Sequence, residues 1–217
     1  MFNGIAAVII AYLLGSIPSA YIITRIVKGK DIRKLGGGNA GALNVYNEVG
    51  KAAAVVVGII DVGKGIAAVS IALWLLDFTT IEQISSSLLF VFSAALAVVA
   101  GHIWSVFLKF SGGNGLATTI GVMAVIMTEE TLIALAVSLL IIVITRNPVL
   151  SLNLSLLFVV PISAWLLGKP LFFIVFPLLL ALILMIHFLP TARHALEKAG
   201  NKEKLGAELL RRNSVKK

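Results

Sequence analysis

The chain is 217 residues long, 59% hydrophobic and only 13% charged, with a mean hydropathy of +1.04. A soluble domain carries roughly a quarter of its residues as charges to cover its surface, so a soluble fold is excluded and lipid is the solvent for most of this chain. The net charge of +8 then reads as Lys and Arg holding loops at the cytoplasmic face rather than as a nucleic-acid surface, and a chain without Cys has no disulfide, thiolate metal site or cysteine nucleophile.

A helix needs about 20 apolar residues to cross the hydrocarbon core. The first run, Gly4 to Val27, contains a stretch that resembles a signal peptide cut near Ala20, but no Lys or Arg precedes it, and a retained helix is expected. Six more runs follow: Ala52 to Leu76, Ser85 to Phe107, Leu116 to Met127, Thr131 to Thr145, Val149 to Leu167 and Leu171 to Leu189. The fourth and fifth are short for full spans. They fit a long hairpin with the acidic tip Thr128-Glu129-Glu130, because carboxylates are costly at mid-bilayer. The expected fold is therefore an all-α integral membrane protein of about seven transmembrane helices, with six as the alternative count.

Orientation follows from the basic residues. Lys28, Lys30, Arg33, Lys34 and Lys51 crowd the first loop, Lys109 lies in the third, Arg146 in the fifth, and eight more fill the carboxyl-terminal tail. The alternate loops hold Asp77, Glu82, Glu129 and Glu130, with Lys169 the basic exception. The positive-inside rule places the amino terminus outside and the carboxyl terminus in the cytoplasm, which requires an odd number of crossings. Residues 1–189 read as one membrane-embedded domain and 190–217 as a basic tail. With Leu196, Leu205, Leu209 and Leu210 among its charges, that tail is either a surface-lying helix or a solvated, partly disordered end.

Glycine and polar residues concentrate in two places, both expected at the cytoplasmic face. One is Leu35 to Asn47, with Gly36, Gly37, Gly38, Asn39, Gly41 and Asn44. The other is Gly101-His102 followed by Phe110 to Thr119, with Gly112, Gly113, Asn114 and Gly115. Glycines let a ligand approach backbone N–H groups, which form concave anion sites in turns and at helix starts. Two such loops suggest a phosphate cradle, with structural glycine turns as the alternative. Neither is a Walker A loop or a dinucleotide fingerprint. Asp61 and Lys64 share a helix face at a spacing of three and are expected to pair, either bracing the first loop or serving an ion path. His102 and His194 are placed to donate a hydrogen bond or act as a base near a phosphate. His187 is read as an internal hydrogen-bonding residue, and no His, Asp and Glu spacing resembles a metal set.

At these clusters the chain resembles the bacterial acyl-phosphate:glycerol-3-phosphate acyltransferases known as PlsY. The similarity runs through Leu13-Leu14-Gly15-Ser16-Ile17-Pro18, Asp31-Ile32-Arg33-Lys34, Gly38-Asn39-Ala40-Gly41-Ala42, Asn44-Val45 and Asp61 to Gly65. It continues through Gly101-His102, Phe107-Leu108-Lys109-Phe110, Gly112-Gly113 and Gly115-Leu116-Ala117-Thr118. The resemblance implies a seven-helix bacterial plasma-membrane enzyme without metal or cofactor, its site facing the cytoplasm. It also implies transfer of a fatty acyl group from acyl phosphate to the 1-hydroxyl of glycerol 3-phosphate, giving lysophosphatidic acid and phosphate in phospholipid synthesis. Membrane lipid is the other implied partner, and nucleic acid is not one. Asn39, Asn44 and His194 become the candidate catalytic residues. Gly36, Gly37, Gly38, Gly41, Asn47, Gly112, Gly113, Asn114 and Gly115 become the substrate-binding set.

The departures from the family pattern fall in the same loops. Gly37 stands for a Ser, Leu43 for a Thr, Asn47 for an Arg, Ser105 for a Pro, and Ser111 and Asn114 for two Lys. Ser151 is the nearest equivalent of a later Ser, and Glu197 replaces an Asn. One Arg and two Lys are thereby lost from a site for two anions, at about 1.5–3 kcal/mol for each charge-assisted bond. The alternative function is accordingly a catalytically silent relative that binds lipid or a partner protein and regulates membrane synthesis. A small transporter using Asp61 and Lys64 is the third reading.

Overall fold

A backbone in lipid must satisfy its own polar groups, and the apolar runs of this chain do so as helices throughout the described residues of a computed structural model. Those residues are 2–76 and 86–199, with side chains described for 2–76 and 88–187. The chain divides into two compact units, Met1–Thr128 and Glu129–Lys217. Asp77 and Glu82, and the tail from residue 200 on, lie outside the described residues.

The first apolar run forms two helices, α1 (Phe2–Ser16) and α2 (Ser19–Lys28). The break falls at Ile17-Pro18, because proline has no N–H to donate and disfavours helical backbone in the residue before it. Side chains from later helices satisfy the broken turn. Ser105 Oγ donates to the Ser16 carbonyl at 2.6 Å and Lys64 Nζ to the Ile17 carbonyl at 3.2 Å. α2 ends at Gly29, whose φ of +67° suits glycine and whose N–H reaches the Arg25 carbonyl. A short helix α3 (Ala42–Glu48) precedes α4 (Lys51–Leu75). Then come α5 (Ser86–Ile103) and α6 (Leu116–Ile126). With 11 residues, α6 is about 16 Å long, half the hydrocarbon core.

Small residues let lipid-embedded helices touch backbone to backbone, and two reciprocal glycine pairs do this here. A Cβ built on Gly15 of α1 would collide with the Val98 carbonyl of α5, and one on Gly101 of α5 with the Tyr12 carbonyl of α1. Likewise, Gly65 of α4 abuts the Thr118 carbonyl of α6, and Gly121 of α6 the Val62 carbonyl of α4. Gly58 and Gly63, in the same α4, face open space.

In the second unit, α7 (Thr128–Thr145) is followed by α8 (Pro148–Leu154), a π turn at Ser155–Val159, α9 (Val160–Leu166) and α10 (Leu171–Ala199). The fifth run is longer than its apolar stretch suggested. The helix starts at Thr128, so Glu129 and Glu130 occupy its first turn, where the helix dipole favours carboxylates. Its 18 residues are enough, by length and composition, to cross a membrane. Asn147 caps α8 by accepting from Leu150 N at 3.0 Å, with Pro148 just inside the helix. Pro161 withholds a helical donor next to the π turn, which Ser138 of α7 meets through a 2.8 Å bond to Ser155 Oγ. α10 continues through the expected boundary at residue 189. Among the described residues, five helical stretches are long and apolar enough to span, Phe2–Lys28, Lys51–Leu75, Leu88–Leu108, Thr128–Thr145 and Pro148–Leu166, and Leu116–Ile126 and Leu171–His187 are shorter apolar helices. The protein is an all-helical membrane protein.

Candidate active site

The first loop is organised by Asp31, Arg33 and Asn44. Asp31 caps a short 3-10 turn at Ile32–Lys34 and pairs with Arg33 at 2.8 Å. The hydrogen bond from Arg33 holds the Asp31 carboxyl below its ordinary value of 3.8 and outweighs the opposing effect of burial. The same guanidinium lies over the Tyr21 ring and donates to the Leu108 carbonyl at 2.9 Å, tying the first loop to the second. Asn44, buried on α3, accepts from Gly37 N at 2.9 Å. Its NH2 faces the carbonyls of Ile32, Leu35 and Asn39 at 3.2, 3.1 and 2.8 Å. The loop therefore wraps around this amide. Gly36 and Gly38 have φ of +50° and +72°, and a Cβ on Gly36 would crowd Asn44 and Glu48. Asn39 is half-buried and its side-chain oxygen accepts from Gly41 N at 3.2 Å.

The second loop leaves α5 through a 3-10 turn at Val106–Leu108. It then passes through Lys109 and Phe110, both left-handed with φ of 53° and 60°. Two consecutive non-glycine residues in that region store strain of order 1–3 kcal/mol each. The loop folds back on the end of α5, Gly112 N donating to Ile103 O at 2.9 Å and Gly113 N to His102 O at 3.0 Å. No side chain fits there, since a Cβ on Gly112 would strike the His102 carbonyl and one on Gly113 the His102 ring. Ala40 N donates to Gly112 O at 3.1 Å, and Gly41 lies against Asn114. The two glycine-rich segments thus form one surface.

The glycines shape that surface more than they supply its donors. The N–H groups of Gly37, Gly38, Gly41, Gly112 and Gly113 are all occupied inside the loops. In these two loops, the amides without a hydrogen bond include those of Gly36, Asn39, Asn114 and Gly115, together with the opening N–H groups of α3 and α6, whose first turns close only at Val45 N to Gly41 O and Thr119 N to Gly115 O. Gly115, with φ of +81°, is the uncapped residue before α6. The longest run of free amides is Asn114 to Thr118, beside Gly41 and Asn39.

Beneath this surface is a buried polar cluster. Asp61 Oδ1 accepts from Ser19 Oγ at 2.6 Å and pairs with Lys64 Nζ at 3.0 Å. His102 Nδ1 lies 3.6 Å away, beyond hydrogen-bond length. The Asp61 and Lys64 pair is anchored to the α1–α2 break rather than to the first loop. About 180 Å³ of empty space, its mouth included, is lined by Ser19, Ala40, Lys64, His102, Ser105 and Gly113 among others. Ser19 and Ser105 carry no signal in the sequence beyond two serines interrupting apolar runs.

Of the expected site residues, the structure brings together Asn39, Asn44, Gly36, Gly37, Gly38 and Gly41 with Gly112, Gly113, Asn114 and Gly115. Asn47 is exposed on α3. The side chain of His194 lies outside the described residues, as do those of Arg193 and Glu197.

Comparisons with known proteins agree with one another. Residues 5–198 match the family model described as glycerol-3-phosphate acyltransferase. A glycerol-3-phosphate acyltransferase of Endomicrobium trichonymphae is 34% identical over 93% of this chain and 96% of its own length. Glycerol-3-phosphate acyltransferase 2 of Dehalococcoides mccartyi is 39% identical over 91% and 89%. The crystal structure of PlsY in its glycerol 3-phosphate form superposes with a TM-score of 0.77 at 28% identity, covering 90% of this chain and 92% of that one. Its lysophosphatidic acid form gives a TM-score of 0.73 at 27% identity. From the joined loops to the family model, these findings establish that the chain belongs to the glycerol-3-phosphate acyltransferase family.

Proposed function

We propose that this protein transfers a fatty acyl group from acyl phosphate to the 1-hydroxyl of glycerol 3-phosphate. The hydroxyl oxygen forms the new ester bond to the acyl carbon, the carbon–oxygen bond to phosphate breaks, and the hydroxyl proton leaves with the departing phosphate or to water. The products are lysophosphatidic acid and inorganic phosphate. Family membership and relatives named for this activity support the reading, as do solved structures titled for glycerol 3-phosphate and lysophosphatidic acid. The observation in this chain that carries it is the union of the two loops at Ala40 and Gly112, next to the free amides that open α6.

Phosphate is already a competent leaving group, so the protein's task is to orient the hydroxyl and to stabilise charge on the acyl carbonyl. The free amides from Asn114 to Thr118 are suited to one anion, and Asn39 stands beside them with a side-chain NH2 that makes no hydrogen bond among the described residues. Asn44 shapes the first loop from within. Neither loop from Gly36 to Asn47 or from Ser111 to Thr119 contains Lys or Arg, so the donors these loops themselves offer the phosphates are neutral, with Lys34 and Lys109 flanking them and His194 as a further candidate. The site faces the cytoplasm of a bacterial plasma membrane, with the amino terminus outside. The basic residues of the first, third and fifth loops and of the tail support that placement.

The test is phosphate release by the purified protein in lipid, given palmitoyl phosphate with and without glycerol 3-phosphate. Release that depends on the acceptor and falls at least about tenfold in Asn39→Ala is expected. A folded protein that shows no acceptor-dependent release overturns the proposal in favour of a binding role.

A further inference from the structure

The buried group Asp61, Lys64 and His102 has no role in the acyl-transfer step as written above, and no hydrogen bond among the described residues joins any of the three side chains to the amides that open α6. A charged pair inside a membrane helix is costly unless it has a task, and the carbonyls of the α1–α2 break are met by Ser105 and Lys64 without His102. His102 is different. Its imidazole joins two things that otherwise do not touch, the buried carboxylate and the floor of the second loop. Nδ1 is fully buried, lacks a hydrogen-bond partner among the described residues and lies 3.6 Å from Asp61 Oδ1. On its other side, Nε2 packs so closely under Gly113 that a Cβ there would collide with it. Its own carbonyl receives Gly113 N, and Gly112 O in turn receives Ala40 N from the first loop.

Resting on the acyl-transfer reading, we infer that His102 is a positioning residue. Its ring, oriented by Asp61, sets the height of Gly112 and Gly113 and thereby holds Asn114 to Thr118 against Asn39 and Gly41, where the phosphate of glycerol 3-phosphate is bound. Several features fit this role and not simple filling of space. The ring is 6% exposed and shares its cavity with the polar Ser19, Lys64 and Ser105 as well as with Ile17, Ala40 and Leu108. The loop above it is pinned through the same residue's carbonyl and rests on its ring at Gly113, so displacement of the ring displaces the loop. Replacing an ion pair by neutral side chains of similar shape often leaves stability unchanged, which makes the role of the Asp61 charge separable from folding.

The experiment compares wild type with His102→Ala, His102→Asn, His102→Leu and the double variant Asp61→Asn/Lys64→Gln, all in lipid. It measures thermal unfolding and the KM for glycerol 3-phosphate and kcat separately. Wild-type turnover dependent on the acceptor tests the functional reading by itself. If the wild type turns over, His102→Ala is expected to raise KM by about 10- to 100-fold, the scale of a misplaced binding element, with kcat within about threefold. His102→Asn, which keeps an N–H donor facing Asp61, recovers most of that loss. His102→Leu, which keeps volume without a donor, does not. Asp61→Asn/Lys64→Gln, which keeps an acceptor for Ser19 and a donor for the Ile17 carbonyl, raises KM in the same way while unfolding at the wild-type temperature. The inference is overturned if Leu serves as well as Asn, if the rise in KM comes with a comparable loss of kcat and a lowered unfolding temperature, or if the neutral double variant binds glycerol 3-phosphate normally.

Discussion

Two glycines two positions apart in α4 make opposite predictions under the same substitution. Gly63 has nothing within 4 Å of a built Cβ, whereas at Gly65 the new atom would lie 2.9 Å from Val122 N and collide with the Thr118 carbonyl. Both variants gain the helix propensity of alanine, about 0.8–1.0 kcal/mol. That gain cancels between them, so their separation measures the clash alone. The obstructing atoms are backbone, and α6 must retreat by on the order of 1 Å to restore ordinary contact, an overpacking that costs about 1–3 kcal/mol. Gly65→Ala is therefore expected to unfold about 2–12 °C below Gly63→Ala, with the wild type between them or close to the Gly65 variant. Because Thr118 is in the first turn of α6, Gly65→Ala also moves the free amides and lowers acyl transfer about tenfold or more. Thermal unfolding in one lipid or detergent mixture, with phosphate release on the same samples, checks both. Equal unfolding temperatures for the two variants would refute the close contact between α4 and α6.

Asn44→Ala removes the amide around which the first loop folds and leaves buried carbonyls without donors. A loss of about 2–4 kcal/mol is expected, with Asn44→Asp no better because it restores only the acceptor for Gly37. Thermal unfolding and hydrogen exchange at the Gly37 amide read this directly. Asp31→Asn weakens the tether from Arg33 to the Leu108 carbonyl. Since the folded protein depresses the Asp31 carboxyl below 3.8, its stabilising contribution is fully present above that pH and is lost as the pH falls through the depressed folded value. The wild type and Asp31→Asn should accordingly differ in unfolding temperature at pH 7 and converge in acid. A constant difference across that range contradicts the pairing.

The helices were legible because lipid imposes one solution on an apolar run, and the Gly36 to Asn47 and Gly112 to Gly115 clusters were legible as breaks in that solution. Pairing of Asp61 with Lys64 followed from their spacing. Their attachment to the Ile17-Pro18 break did not, since Ser19 and Ser105 are unremarkable in sequence and acquire meaning only when three helices converge. The donors of the site were harder still. Glycine marks where a backbone can approach, but only the folded loops reveal that Gly112 N and Gly113 N are occupied and that the free amides begin at Asn114. Nor does a sequence distinguish Gly63 from Gly65, because the difference lies in what stands opposite. The start of α7 was misplaced for a local reason, the apolar pattern beginning three residues after the helix does.

The break in the first span also constrains the order in which the protein is assembled. Its partners lie far downstream: Asp61 is 42 residues beyond Ser19, Lys64 is 47 beyond Ile17, and Ser105 is 89 beyond Ser16. During synthesis the first apolar segment reaches the bilayer with a Ser16 carbonyl and a Ser19 hydroxyl that the segment itself leaves without these partners. Until α4 arrives, the kink needs water, lipid head groups or the insertion machinery to satisfy it. The end of α5 then delivers Ser105 and, with it, the second loop. Closure of the amino-terminal span and completion of the surface that joins the two loops are thus one event in the life of the chain, and a truncated product ending before residue 105 has neither.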